Sequence, residues 1–144
     1  LRALGLKKSD QVMTFEEMGV DFLFVDEAHL FRKLDFATAM GNVKGVDPNG
    51  SQASYDLFSK VKYLDGRRRN RSVVLASGTP ITNTMAELYS ISRYLQRDEL
   101  AARNLDAFDA WAGAFGTVAT DLEQDAAGGY KSVTRFSKFV NVPE

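Results

Sequence analysis

Apolar positions along the chain fall into two short unbroken runs and a set of helical stripes. Phe22-Leu23-Phe24-Val25 and Val73-Val74-Leu75-Ala76 are apolar at every position. That pattern suits strands buried on both faces, as in a parallel sheet. Strands are therefore expected over about Val20–Val25 and Ser72–Ala76. Between them Leu57, Phe58, Val61 and Leu64 fall at helical spacing, which predicts a helix capped by Ser51 and running to about Leu64. Two parallel strands with one crossover helix form a right-handed βαβ unit. Beyond the second strand, Thr84 and Glu87 have the spacing of a capping box. The helix they open should run to about Gln96, with Met85, Leu88, Ile91 and Leu95 facing the core. Phe108, Trp111, Ala112 and Phe115 repeat at i, i+3, i+4 and i+7, predicting a further helix over Asp106–Phe115. Trp111 and its aromatic neighbours read as core and not as a base-stacking platform.

The segments between these elements are less regular. Thr14 and Glu17 fit another capping box, with a short helical turn ending at Gly19. Leu30–Met40 reads as a loop with a helical turn. Gly41–Gly50 carries three glycines and Pro48-Asn49-Gly50, a turn signal, and is expected to be mobile. Asp125–Gly129 reads as a flexible loop. Tyr130–Val142 is ambiguous between strand and helix, Leu1–Val12 is uninformative, and no internal repeat stands out. The predicted class is α/β: a parallel sheet flanked by helices over residues 1–100, with a helical C-terminal extension and tail over 101–144.

Composition narrows the function. The 144 residues suffice for one domain with a core, and 44% hydrophobic with 26% charged residues is ordinary for a globular chain. The absence of cysteine excludes a disulfide scaffold, a thiolate metal site and a cysteine nucleophile. A formal net charge of -1 does not suit a free-standing nucleic-acid binder, so any DNA contact must be local. No apolar stretch is long enough to span a membrane, and no secretory signal opens the chain. The chain begins at Leu1 and ends on Val142-Pro143-Glu144 with no closing element, which reads as a piece of a longer protein. The dense basic run Arg67–Arg71 enters the second strand at its amino end. A solvated loop is the simpler account of it.

Candidate chemistry lies at the opposite, carboxyl ends of the strands, where parallel α/β sheets bind ligands. The first strand ends in Asp26-Glu27, and successive residues of an extended chain point opposite ways. One acid can then hold a metal while its neighbour orients or deprotonates a water. The second strand ends in Ser77-Gly78-Thr79-Pro80-Ile81-Thr82-Asn83. Gly78 lets the backbone turn tightly, Pro80 stiffens the exit, and the hydroxyls of Ser77 and Thr79 can reach the acidic turn. Taken separately, each stretch also reads as an ordinary strand end before a polar turn.

Together they resemble a known family. Asp26-Glu27-Ala28-His29 resembles the second motif of superfamily-two helicases, which reads DEAH. Gly78-Thr79-Pro80-Ile81-Thr82-Asn83, followed by Ala86-Glu87-Leu88-Tyr89 and Tyr94-Leu95, resembles the third motif of Swi/Snf-type DNA translocases, with Thr82 where glutamine is usual. Arg32-Lys33 is similar to a basic pair found there. The ending from Thr134 to Glu144 resembles large phage- and plasmid-borne helicase proteins, some fused to DNA methylases. The specific likeness covers about Phe15 to Tyr94.

The resemblance implies the second half of a first RecA-like lobe, of P-loop NTPase type, with ATP and Mg²⁺ as cofactors. Asp26 would hold Mg²⁺ through water, and Glu27 would be the base for the attacking water. His29 would link the nucleotide site to Ser77, Gly78 and Thr79 of the coupling motif. Lys44 and Asn83 are lesser candidates for touching nucleic acid. The implied partners are duplex DNA and the missing helicase lobes, in a cytoplasmic protein. No Gly-Lys-Ser or Gly-Lys-Thr occurs in the chain. The phosphate loop of the family lies upstream and its arginine fingers downstream, so the chain alone is not expected to hydrolyse ATP. Two rival readings stand beside this one: a non-catalytic docking or interaction module of a larger DNA-processing protein, and a different P-loop enzyme. The Gly78–Asn83 motif argues against the latter. An open sheet edge could also pair with another copy.

Overall fold

The computed structural model describes residues 13–68, 72–82, 84–126 and 128–140. Strands β1 (Leu23–Val25) and β3 (Val73–Leu75) pair in parallel, with Leu23 opposite Val73 and Val25 opposite Leu75. Helix α1 (Gln52–Arg68) lies between them in the chain. Both strands are shorter than predicted. The pairing nevertheless runs past each end, since Leu23 N–H donates to Ser72 O at 2.8 Å and Ala76 N–H to Val25 O at 2.9 Å.

Burial on both faces is not what the sheet shows. Leu23, Val25, Val73 and Leu75 pack on one face against Leu34, Leu57, Val61 and Tyr94. The other face carries Phe24, 81% exposed, and Val74, 44% exposed. Both α1 and the helix after β3 cover the same face, so the second apolar face stays open among the described residues.

Helix α1 starts where predicted, with Ser54 N–H donating to Ser51 Oγ at 3.2 Å. Leu57, Val61 and Leu64 are buried as the stripe required. The helix continues to Arg68, past Leu64. Its end is tied to β3 by a buried hydrogen bond from the Ser72 hydroxyl to Asp65. The guanidinium of Arg67 lies over the Tyr63 ring on the exposed side. Residues 69–71 of the basic run lie outside the described residues. The first capping box is present, with Thr14 N–H to Glu17 Oε2 at 2.8 Å and Glu17 N–H to Thr14 Oγ1 at 3.3 Å. These bonds hold the Glu17 carboxyl below its usual range.

Helix α2 (Met85–Leu95) matches its predicted span, but its inward face differs. Tyr89 and Tyr94 are buried while Leu95 is 44% exposed. The helix bridges two clusters. Tyr94 enters the sheet cluster and donates to Phe31 O at 3.0 Å and Ser54 O at 2.8 Å. Tyr89 enters an aromatic cluster with Phe36, Phe108 and Trp111. A short helix α3 (Arg97–Ala102), absent from the sequence reading, leads to α4 (Phe108–Phe115). Phe108, Trp111 and Ala112 of α4 are buried, so Trp111 is core as predicted.

The helical C-terminal extension is a correction. After α4 the chain forms a hairpin of β4 (Gly116–Gln124) and β5 (Tyr130–Phe139), and the ambiguous tail is its second strand. Thr117, Val118, Thr120, Val133, Thr134 and Phe136 supply the β-branched and aromatic residues that favour strands. The loop over Asp125–Gly129 is the hairpin turn, with Gly129 N–H donating to Asp125 Oδ1 at 2.9 Å and Gly128 at φ 85°. Strand β2 (Val43–Lys44) joins the free side of β5 in parallel, giving the order β2-β5-β4. The Gly41–Gly50 segment, expected to be mobile, is thus tied at several points. Val46 is buried, and Ser51 N–H donates to Lys33 O at 2.8 Å. A Cβ on Gly50 would lie 2.7 Å from the Asp35 backbone nitrogen. Among the described residues the architecture is mixed α/β: one parallel pair and one small mixed sheet, with four α-helices.

Candidate functional site

The parallel register of β1 and β3 brings the acidic turn and the Ser77–Thr82 loop to one edge. After Val25 the chain turns through Asp26 and Glu27 into a single 3₁₀ turn, Ala28–Phe31. Ala28 N–H donates to Ala76 O at 2.9 Å, which keeps this turn fixed to β3. Glu27 adopts a left-handed backbone, φ 51° and ψ 43°. A residue with a Cβ pays for that conformation and keeps it only where its surroundings enforce it. Here the Glu27 N–H is held by Asp26 Oδ1 at 2.8 Å.

Glu27 Oε2 lies 3.0 Å from His29 Nδ1. Ser77 Oγ lies 3.4 Å from the same nitrogen. With its proton on Nδ1, the imidazole donates to the nearer carboxylate. Thr79 N–H donates to Ser77 Oγ at 3.1 Å, and Arg32 Nη1 donates to Thr79 O at 3.2 Å. Arg32 Nε then lies 3.2 Å from Glu87 Oε1, and Glu87 Oε2 accepts Thr82 N–H at 2.7 Å. A continuous polar chain therefore runs from Glu27 through His29, Ser77, Thr79 and Arg32 to Glu87.

Arg32 and Glu87 have the site roles that sequence reading missed. Glu87 was assigned to a capping box with Thr84, but Thr84 makes no side-chain cap bond. Glu87 reaches instead back to Thr82 and across to Arg32. No periodicity links Arg32 to a residue 55 positions away. The signal was only that each flanks a motif with opposite charge.

Asp26 stands beside the cluster with its carboxylate exposed. Among the described residues no group of three or more His, Cys, Asp or Glu gathers to hold a metal. One exposed carboxylate suits Mg²⁺, which keeps several waters, better than an ion that needs an all-protein cage. Gly78 is exposed, lacks a left-handed φ, and an added Cβ would meet nothing within 4 Å. The tight turn predicted there does not itself require glycine. Lys44 lies apart from this cluster, on β2, 3.7 Å from Glu123 Oε2. With Gly45, Ile81, Thr82 and Thr84 it lines a cavity of about 260 Å³. Asn83 lies outside the described residues.

A family model described as a probable helicase domain matches residues 3–144. The chain is also similar to the "Defense against restriction protein B" of Escherichia phage P1. The two are 25% identical over 127 residues, which is 86% of this chain and 6% of that protein. The chain thus spans a small fraction of this relative's length. No solved structure matches.

Proposed function

This chain belongs to the family of probable helicase domains, and from that premise we propose that it is part of an ATP-dependent DNA helicase or translocase of the Swi/Snf type. In this reading it is the second half of a RecA-like lobe and carries the hydrolytic and coupling groups. The observation that carries the reading is the meeting of Glu27, His29 and Ser77 at the carboxyl edge of two parallel strands. The small fraction of the phage relative that the chain spans supports a larger parent.

Asp26 would hold Mg²⁺ through water, as its exposed, single carboxylate suits. Held there, the ion would supply electrostatic stabilisation of the negative charge that develops on a transferred phosphoryl group. Glu27, oriented by the His29 N–H, would accept a proton from a water placed before it. His29 couples it to Ser77, and Ser77 to Thr79, so a shift in the loop after β3 is felt at the base. Lys44, on β2, and Asn83 are proposed DNA contacts.

The test is Glu27→Gln in the full-length protein. It should retain ATP binding and lose DNA-stimulated hydrolysis by about 10²-fold or more, the scale of a positioned base. Unchanged turnover would remove Glu27 from that role.

The open face of β1 and β3, with Phe24 81% exposed, favours a second reading. The chain would then be a docking module without hydrolytic work. In that case Glu27→Gln leaves turnover intact, while a charge at Phe24 disrupts assembly of the parent.

A further inference from the structure

We propose that Arg32 and Glu87 are positioning residues that set the distance between Ser77 and His29. The inference rests on the reading of that pair as a coupling contact. Both side chains are largely covered, at 16% and 13% exposure, and their ion pair measures 3.2 Å. Each is used twice. Arg32 bonds Glu87 through Nε and Thr79 O through Nη1. Glu87 bonds Arg32 through Oε1 and the Thr82 N–H through Oε2. The two charges thus fasten both ends of the Thr79–Thr82 turn, in which Pro80 already fixes one φ.

Thr79 joins this clamp to the site. Its carbonyl faces Arg32 and its N–H faces Ser77 Oγ, which lies 3.4 Å from His29 Nδ1. Rotating the backbone at Thr79 to release Arg32 therefore moves the donor that aims Ser77. Arg32 leaves the acidic turn after β1, whereas Glu87 sits on α2. The clamp consequently links a helix facing both cores to the base-bearing turn. A guanidinium presents several donors in a rigid fork, and lysine cannot serve both acceptors in the same geometry.

His29 is the only histidine of the chain, so its two imidazole nitrogens give one assignable pair of NMR signals, of which Nδ1 is followed. The experiment follows that signal and the amide exchange of Thr79 in the 144-residue chain. Val61, buried in α1, serves as the reference amide for global opening. Glu87→Ala and Arg32→Lys should each raise Thr79 exchange about tenfold relative to Val61 and shift the His29 Nδ1 resonance. Glu87→Gln, which keeps an acceptor, should recover part of the protection. Glu17→Ala, in the remote capping turn, should change neither signal. Unchanged Thr79 and His29 signals would overturn the proposal. So would equal acceleration of Thr79 and Val61, which marks a stability effect only. The readout needs no nucleotide, so failure of Glu27 as a base would leave it untouched.

Discussion

At the residue scale, two buried hydroxyls do work that apolar side chains of the same shape could not. The single hydroxyl proton of Tyr94 is shared between two backbone carbonyls, of Phe31 and Ser54, and so links the turn after the acidic motif to the start of α1. Burial pushes its pKa up to about 12, with the Ser54 hydrogen bond and nearby Arg93 opposing that rise. The neutral phenol is thus favoured by folding. Its contribution is fully present below the unfolded value near 10 and is lost as pH rises from there through about 12. Tyr94→Phe leaves two carbonyls without this donor and should cost about 1–3 kcal/mol at pH 7. Denaturant midpoints at pH 7 and pH 11 check both parts: the variant should be weaker at pH 7 and should lose less than the wild type on going to pH 11. Tyr89, whose hydroxyl donates to Asp106 O, is likewise raised by burial.

At the scale of elements, the two glycines that bound the segment after the acidic turn make opposite predictions. At Gly50 a Cβ would meet Asp35 backbone nitrogen at 2.7 Å and its Cβ at 2.9 Å; at Gly41 it would meet nothing within 4 Å. Gly50→Ala should therefore destabilise by about 1–3 kcal/mol, the scale of an overpacked contact, while Gly41→Ala stays within about 0.5 kcal/mol of wild type. Thermal or denaturant unfolding of the pair measures the difference. The same segment shows what a sequence conceals. Its glycines and Pro48 announced turns correctly, but the two-residue strand Val43–Lys44 pairs with Thr134 and Arg135, some ninety positions on. No local pattern encodes so distant a partner. Helices α1 and α4 and the two parallel strands were legible, because apolar runs and stripes follow directly from which face is buried. The hairpin after α4 was hidden by its many polar strand residues, and the inward turn of Tyr89 and Tyr94 by the bridging position of α2. In the site, the approach of Glu27 and His29 to Ser77 followed from two strand ends on one edge, while Asp26 stands beside that cluster. The Arg32–Glu87 clamp did not, since it depends on how α2 docks.

At the scale of the whole molecule, the open face of the parallel pair is the feature that needs an explanation. Parallel strands are found almost only in sheets covered on both faces, yet Phe24 is 81% exposed. Phe22, whose ring lies 4.9 Å from that of Phe24, is its apolar neighbour there. Burying a side chain of this kind is worth about 1.5–3 kcal/mol, and an exposed patch of them invites association. If the sheet is completed by other parts of a longer polypeptide, Phe24→Lys should act with opposite sign in two contexts. In the 144-residue chain it should reduce concentration-dependent self-association, read by sedimentation velocity, with little change in unfolding midpoint. In the full-length protein it would leave a charge in an apolar layer and should lower stability by at least the about 1.5–3 kcal/mol of lost burial. A full-length protein that tolerates Phe24→Lys without loss would mean that this face is bare in the parent. The two-stranded sheet would then be the whole of that layer and not a part of a wider one.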